Sequence, residues 1–322
     1  MMKLYKVSSI VSAIFMALMV FMASCSKDDT MMQYLQVPED YVFEAEVKPV
    51  GTYEFEHFAA ELLLQKNGPD TWQRVLKVFP KEYEGRLPAV VVPFYFPEAM
   101  VGFELDGTPL PKYAGIEMMA HLASRGFACI SADAYHLTYV DSDKPRDTFS
   151  RWSDAGSRIS EDYPQWCGIG KLTADTRLLI DLLEEDPRVD AGRIGIAGHS
   201  LGGKMAFYAG CMDRRIKAIM VSDFGFMWEQ SNWEKNWYWG DKIEILKEKG
   251  LSNIDLLSAS GRKPVCLIAG QYDTDESFVA MQNAAGYKAF PDRLVFINHA
   301  TGHRPPAYAL EAGYDFLEKH LK

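Results

Sequence analysis

The chain has 322 residues, 48% of them hydrophobic and 24% charged, an ordinary globular composition with enough apolar residues for a large core. Its formal net charge of −10 excludes the basic footprint of a nucleic-acid binder and disfavours docking on an anionic membrane surface. Length alone allows two domains, but single α/β domains reach this size.

Met1-Met-Lys-Leu-Tyr-Lys is a basic n-region, and residues 7–23 are an apolar run that ends in small residues. This pattern reads as an export signal, to be set aside from fold reasoning; a single-span anchor is the alternative. Met22-Ala-Ser-Cys25 resembles a bacterial lipobox, with methionine where leucine is commoner. Residues 1–24 are therefore expected to be a lipoprotein signal peptide, with Cys25 lipidated as the first mature residue. Ser26-Lys-Asp-Asp29 resembles the acidic tether that some Gram-negative bacteria use for surface lipoproteins. The implied location is the bacterial outer membrane, facing either side, with the lipid as the only membrane contact. Residues 25–40 read as a polar linker and 41–322 as one folded domain.

Residues 41–70 alternate as strands do (Phe43-Glu-Ala-Glu-Val, Tyr53-Glu-Phe-Glu-His), which predicts an N-terminal β extension, followed by a leading strand over 71–80. From residue 88 strands and helices alternate, which implies a mostly parallel central sheet with helices on both faces. The first of these strands reads Pro88-Ala-Val-Val-Val-Pro-Phe-Tyr-Phe. An amphipathic helix over 115–125 and a strand over 127–132 follow. Residues 133–170 are long for a strand–helix connection and are expected to help form a binding site. They carry Tyr135, His136, Arg146, Arg151, Trp152, Arg158 and Trp166. The arginines suit a substrate carboxylate or internal ion pairs. A helix over 171–185 leads to the next strand.

Gly198-His-Ser-Leu-Gly-Gly lies between the β-branched run Arg193-Ile-Gly-Ile-Ala and the helix-forming run Lys204-Met-Ala-Phe-Tyr-Ala. Strand, Gly-x-Ser-x-Gly, helix is the context of a nucleophile elbow, with Ser200 as nucleophile. A serine hydroxyl is weak until a base takes its proton, and in this elbow class an acid and then a histidine follow in the chain. A strand over 216–222 ends at Asp223. Residues 224–241 form a second insertion with Trp228, Trp233, Trp237, Tyr238 and Trp239. Such a cluster reads as an aromatic wall for sugar rings, or as core or dimer packing.

A buried-strand run over 264–270 precedes Asp273, the favoured acid; Asp223, Asp275 and Glu276 compete. The last strand, over 293–298, leads to His299-Ala-Thr-Gly-His303, where His303 is preferred to His299 as base. A helix over 308–321 closes the chain. The oxyanion of a tetrahedral intermediate needs donors: the N–H of Leu201, and the amide of Tyr95 or Phe96 after the first central strand. Trp228, Trp233, Trp237, Trp166 and Arg151 are the candidate substrate contacts. Cys129 and Cys266 read as core residues; the pairing of Cys167 with Cys211 stays open.

These motifs and their spacing resemble the α/β-hydrolase superfamily over residues 70–322, particularly dienelactone-hydrolase-like and acetyl-xylan-esterase-like carbohydrate esterases. Asp186-Pro-Arg-Val-Asp190 before the nucleophile strand adds to the likeness, while the His-Gly usual in the oxyanion loop is missing. The resemblance implies an α/β-hydrolase fold and a serine esterase with no cofactor and no metal. Its expected partner is an ester substrate, acetyl or methyl esters on a decorated glycan. The alternatives are a serine peptidase of the prolyl-oligopeptidase type, a lipase, or a glycan-binding lipoprotein on an inactive scaffold. Oligomeric state is left open.

Overall fold

A computed structural model of the chain describes residues 28–284 and 286–322. The expected signal peptide and the lipidation of Cys25 lie outside the described residues. The sheet is built from β1 (Val47–Glu54), β2 (Phe58–Lys66), β3 (Trp72–Pro80), β4 (Leu87–Val91), β5 (Ala128–Ala132), β6 (Val189–His199), β7 (Ile216–Ser222), β8 (Val265–Ala269) and β9 (Leu294–Asn298). Its spatial order is β1-β2-β3-β5-β4-β6-β7-β8-β9. The β1-β2, β2-β3 and β3-β5 pairings are antiparallel. All pairings from β5 to β9 are parallel. This is the expected α/β-hydrolase architecture, and the N-terminal extension continues the same sheet at its edge.

The central strands are apolar on both faces, because helices cover both. Alternate residues serve alternate cores, as the two-residue period requires. Ala89, Val91, Ile130, Ile196 and Leu267 join one core with the helices Gly168–Glu184 and Leu201–Met212. Val90, Cys129, Ala197, Cys266 and Ile268 join the other with Met118–Ser124 and Ala307–Leu321. Cys129, Cys167, Cys211 and Cys266 are all free and buried, so Cys167 and Cys211 do not pair.

The reading of 25–40 as a polar linker is corrected over residues 28–35. Asp28–Leu35 is a helix with Met31 and Leu35 buried in the core. Lys249 Nζ donates to Thr30 Oγ1 at 2.8 Å, and the Cys167 N–H donates to Tyr34 O at 3.2 Å. Four apolar residues (Met31, Met32, Tyr34, Leu35) within one short helix outweigh the charges around them. Tyr41 continues the packing, its hydroxyl donating to Asn67 O at 2.9 Å.

Candidate active site

Chain ends of the parallel strands gather at the carboxyl edge of the sheet, where ligands bind in open α/β folds. Ser200 follows β6 directly and starts the helix Leu201–Met212 with φ 57° and ψ −119°, a conformation that costs a non-glycine residue energy. Space at the turn is minimal. A Cβ on Gly198 would lie 2.1 Å from Gly202 O, and one on Gly202 would lie 2.1 Å from Pro93 O. The Ser200 N–H donates to Ser222 O at 2.8 Å, pinning the elbow to β7.

His303, in the loop between β9 and the last helix, places Nε2 2.8 Å from Ser200 Oγ. Its Nδ1 lies 2.6 Å from Asp223 Oδ2. The favoured acid, Asp273, is therefore corrected: it does not meet the imidazole, and Asp223, one of its competitors, does. Asp223 sits just past β7 with φ 45°, a left-handed conformation that aspartate tolerates better than most residues. Its Oδ1 accepts the backbone N–H groups of Gly270, Gln271, Tyr272 and Asp273 at 3.2, 2.9, 2.8 and 2.9 Å. Burial would raise this carboxyl, but the bonds from His303 and from the Asp273 and Gln271 amides outweigh it and hold it below the ordinary carboxylate value. Asp273 faces the other way and accepts from Phe224, Gly225 and Phe226; its burial prevails, and its carboxyl is raised.

Asp275 and Glu276 belong to the helix Asp275–Gln282, where Asp275 accepts from Asn298 at 2.9 Å. His299 is buried away from Ser200 with Nδ1 2.8 Å from Thr301 Oγ1. Burial lowers its basicity. His199, next to the nucleophile, lies with its ring 4.6 Å from that of His303 and is pulled down to about 3, chiefly by burial.

A cleft of about 600 Å³ opens over Ser200 and His303. Tyr95 borders it, whereas the Phe96 ring is buried under the Arg146 guanidinium, 3.5 Å from its centroid. The insertion after β7 does wall the cleft, but through Glu229, Gln230, Ser231, Asn232 and Tyr238. The tryptophan wall is thus corrected. Trp228, Trp233, Trp237 and Trp166 are buried, and none lines the cleft. Trp233 Nε1 donates to Gly225 O at 2.6 Å and Trp228 Nε1 to Leu251 O at 3.0 Å. Burial of indole with its N–H satisfied is core packing. Arg151 is corrected too: Nε donates to His136 O and Nη1 to Ser142 O and Lys144 O, tying down the first insertion. Arg146 pairs with Glu104 and Arg158 with Asp162.

Three cleft residues were missed. Lys204 is 3% exposed, donates to Ser231 Oγ at 2.9 Å and lies 3.6 Å from the Trp233 ring centroid. Burial pulls its ammonium well below the ordinary lysine value, only partly countered by Asp273 and Glu234. The available signal was spacing, since a residue four positions after Ser200 shares its helix face, and Lys204 is the one charged residue in Leu201–Met212. Phe149, 64% exposed, stacks on Trp237 at 5.8 Å with the planes 10° apart. Tyr272 meets His303 edge to face at 4.9 Å.

The model of the Dienelactone hydrolase family matches residues 74–235, half of the chain. No curated protein matches the sequence. Among solved structures, a glucuronoyl esterase from Solibacter usitatus is similar with a TM-score of 0.64 at 12% identity, covering 93% of each chain. A CE15 glucuronoyl esterase from Teredinibacter turnerae is similar at 0.65 and 17% identity, over 92% of this chain and 84% of that one. An acetyl xylan esterase from Paenibacillus is similar at 0.54 and 18% identity, over 92% and 93%. At these identities the likeness concerns the fold.

Proposed function

This chain belongs to the dienelactone hydrolase family, and because a lactone is a cyclic ester we propose that it is a serine hydrolase of carboxylic esters borne by polysaccharides. The observation that carries the reading is the Asp223–His303–Ser200 relay, 2.6 and 2.8 Å across its two links, at an elbow open to the cleft. Ser200 Oγ attacks the ester carbonyl while His303 Nε2 takes its proton; the Asp223 carboxylate stabilises the imidazolium and fixes the tautomer. The N–H groups of Leu201 and Tyr95 receive the oxyanion; the first is a free donor by virtue of its place at a helix N-terminus. His303 then hands the proton to the leaving alcohol. Water, activated by the same histidine, releases the acid and restores Ser200.

The glycan part of the reading rests on the cleft lining. Polar Glu229, Gln230 and Asn232 with the Lys204 amine offer partners for hydroxyl groups, and a lipase would want an apolar wall there instead. The outer face of Phe149, propped from behind by Trp237, suits the C–H face of a pyranose. An aromatic contact of this kind is worth about 1 kcal/mol. Phe149→Ala is therefore expected to raise KM for a polymeric ester about fivefold relative to KM for an aryl acetate; an unchanged ratio removes the ring from the glycan site.

The test of function is release of acetate and of methanol from acetylated and methyl-esterified polysaccharides, with Ser200→Ala as the blank. Either product supports the reading and identifies the ester. Cleavage of aryl acetate alone keeps the serine esterase and discards the glycan, and no turnover on any ester sinks both. We also propose export with lipidation at Cys25, supported by the sequence Met22-Ala-Ser-Cys25 after an apolar run. Incorporation of labelled palmitate that persists in Cys25→Ala would refute it.

A further inference from the structure

We propose that Asp273 is a positioning residue of this centre, holding the turn that presents Asp223 to His303; the inference rests on the Ser200–His303–Asp223 reading above. Asp223 directly follows β7 and Asp273 lies in the loop four residues past its parallel neighbour β8, and each caps the loop that carries the other. Asp223 Oδ1 gathers four N–H groups from residues 270–273. Asp273 Oδ2 accepts from Phe224 at 2.8 Å and Gly225 at 2.9 Å, and its Oδ1 accepts from Phe226 at 2.7 Å. Both side chains are fully buried, so no water replaces a lost acceptor without rearrangement.

Orientation is what this arrangement controls. Asp223 has φ 45°, a left-handed conformation uncommon for a residue with a side chain, so the turn gains from being held. Three N–H groups in a row converging on one carboxylate define it. The same turn then leads into the cleft wall: Gly225 O accepts from Trp233 Nε1 at 2.6 Å, and Phe226 O accepts from Asn253 Nδ2 at 2.8 Å. Asp273 touches neither Ser200 nor the His303 ring; it acts on the reaction through Asp223.

Such indirect action has a distinct signature in a double-mutant cycle. The variants are Asp273→Asn, Asp223→Asn and the pair, assayed on an aryl acetate, with Ser200 titrated to completion by a fluorophosphonate so that turnover is counted per live site. A purely structural role would lower the number of titrated sites and leave turnover per site intact. The expected result is a loss in kcat per site of about 10²-fold for Asp273→Asn, the scale of a misplaced catalytic group. About 10⁴-fold is expected for Asp223→Asn, with no further loss beyond about threefold in the pair. Wild-type turnover per site in Asp273→Asn overturns the proposal and leaves the parent reading intact. So does a pair whose losses multiply, since Asp273 would then act independently of Asp223. High turnover in Asp223→Asn overturns the parent reading and the proposal together. Ser277→Ala is the milder second variant should Asp273→Asn not fold; the Ser277 hydroxyl bonds Asp273 and also Gln230 Oε1 at 2.9 Å, so Gln230→Ala is assayed beside it and any loss common to the two is discounted. The smaller loss left to Ser277→Ala must likewise vanish in the Asp223→Asn background, and a loss that persists there overturns the proposal.

Discussion

In Asp223→Asn, kcat for a small aryl acetate is expected to fall by about 10⁴-fold, the size of effect that a lost triad carboxylate has elsewhere. The local geometry makes this loss unavoidable by rotation of the new amide. Four backbone N–H groups converge on Asp223 Oδ1, and only the oxygen of an asparagine can accept from them. The amide nitrogen must then face His303 Nδ1, the atom now 2.6 Å from Oδ2. Being a donor, it forces Nδ1 to accept, which places the imidazole proton on Nε2. That proton points at Ser200 Oγ, and the base is blocked. Asp223→Ala is the poorer test, because it also leaves four backbone N–H groups without their acceptor, that of buried Asp273 at a cost of about 1–3 kcal/mol, and confounds catalysis with folding. The control is His299→Ala, expected to keep most of the turnover because the His299 ring bonds to Thr301 and, among the described residues, makes no hydrogen bond to Ser200 or Asp223. Equal losses in the two single variants would remove Asp223 from its role.

The elbow was legible because sterics leave so few residues able to build it: a serine with positive φ between two glycines at which an added Cβ would lie 2.1 Å from a backbone oxygen. The strands were legible for a similar reason, since a sheet covered on both faces needs uninterrupted apolar runs. The acid was not. Asp223 and Asp273 lie in the loops that leave neighbouring strands, paired from Ile219↔Val265 to Ser222↔Ile268, so both loops open at the same edge of the sheet. Which carboxylate turns toward the imidazole depends on backbone donors that no side chain announces. The tryptophans misled for another reason: composition reports that a segment is aromatic and is silent on which face is inward. Trp233 spends its N–H on Gly225 O, and the face left to the cleft is the polar one. The helix Asp28–Leu35 escaped notice because its apolar residues follow a charged stretch and the segment is too short for periodicity to stand out.

Gly202→Ala is expected to be the most damaging change outside the triad. The added methyl would sit 2.1 Å from Pro93 O and 3.1 Å from a Phe94 ring carbon, well inside contact distance, so the backbone must move. What moves matters. Pro93 and Phe94 lie between β4 and Tyr95, whose amide is the proposed second oxyanion donor, while Gly202 follows Leu201, which supplies the first. One methyl group therefore wedges apart the two segments that must converge on a single oxygen. Loss of an oxyanion donor costs on the order of 10²- to 10³-fold in kcat, and overpacking at a closed site adds about 1–3 kcal/mol of destabilisation. The measurement is kcat per titrated site alongside the urea midpoint. Both should fall for Gly202→Ala, whereas Phe149→Ala at the cleft rim should move KM for the polymer and leave the urea midpoint nearly in place. A Gly202→Ala protein that is less stable yet turns over normally per site would show that the loop yields without disturbing Tyr95, and the second oxyanion donor would have to be sought elsewhere.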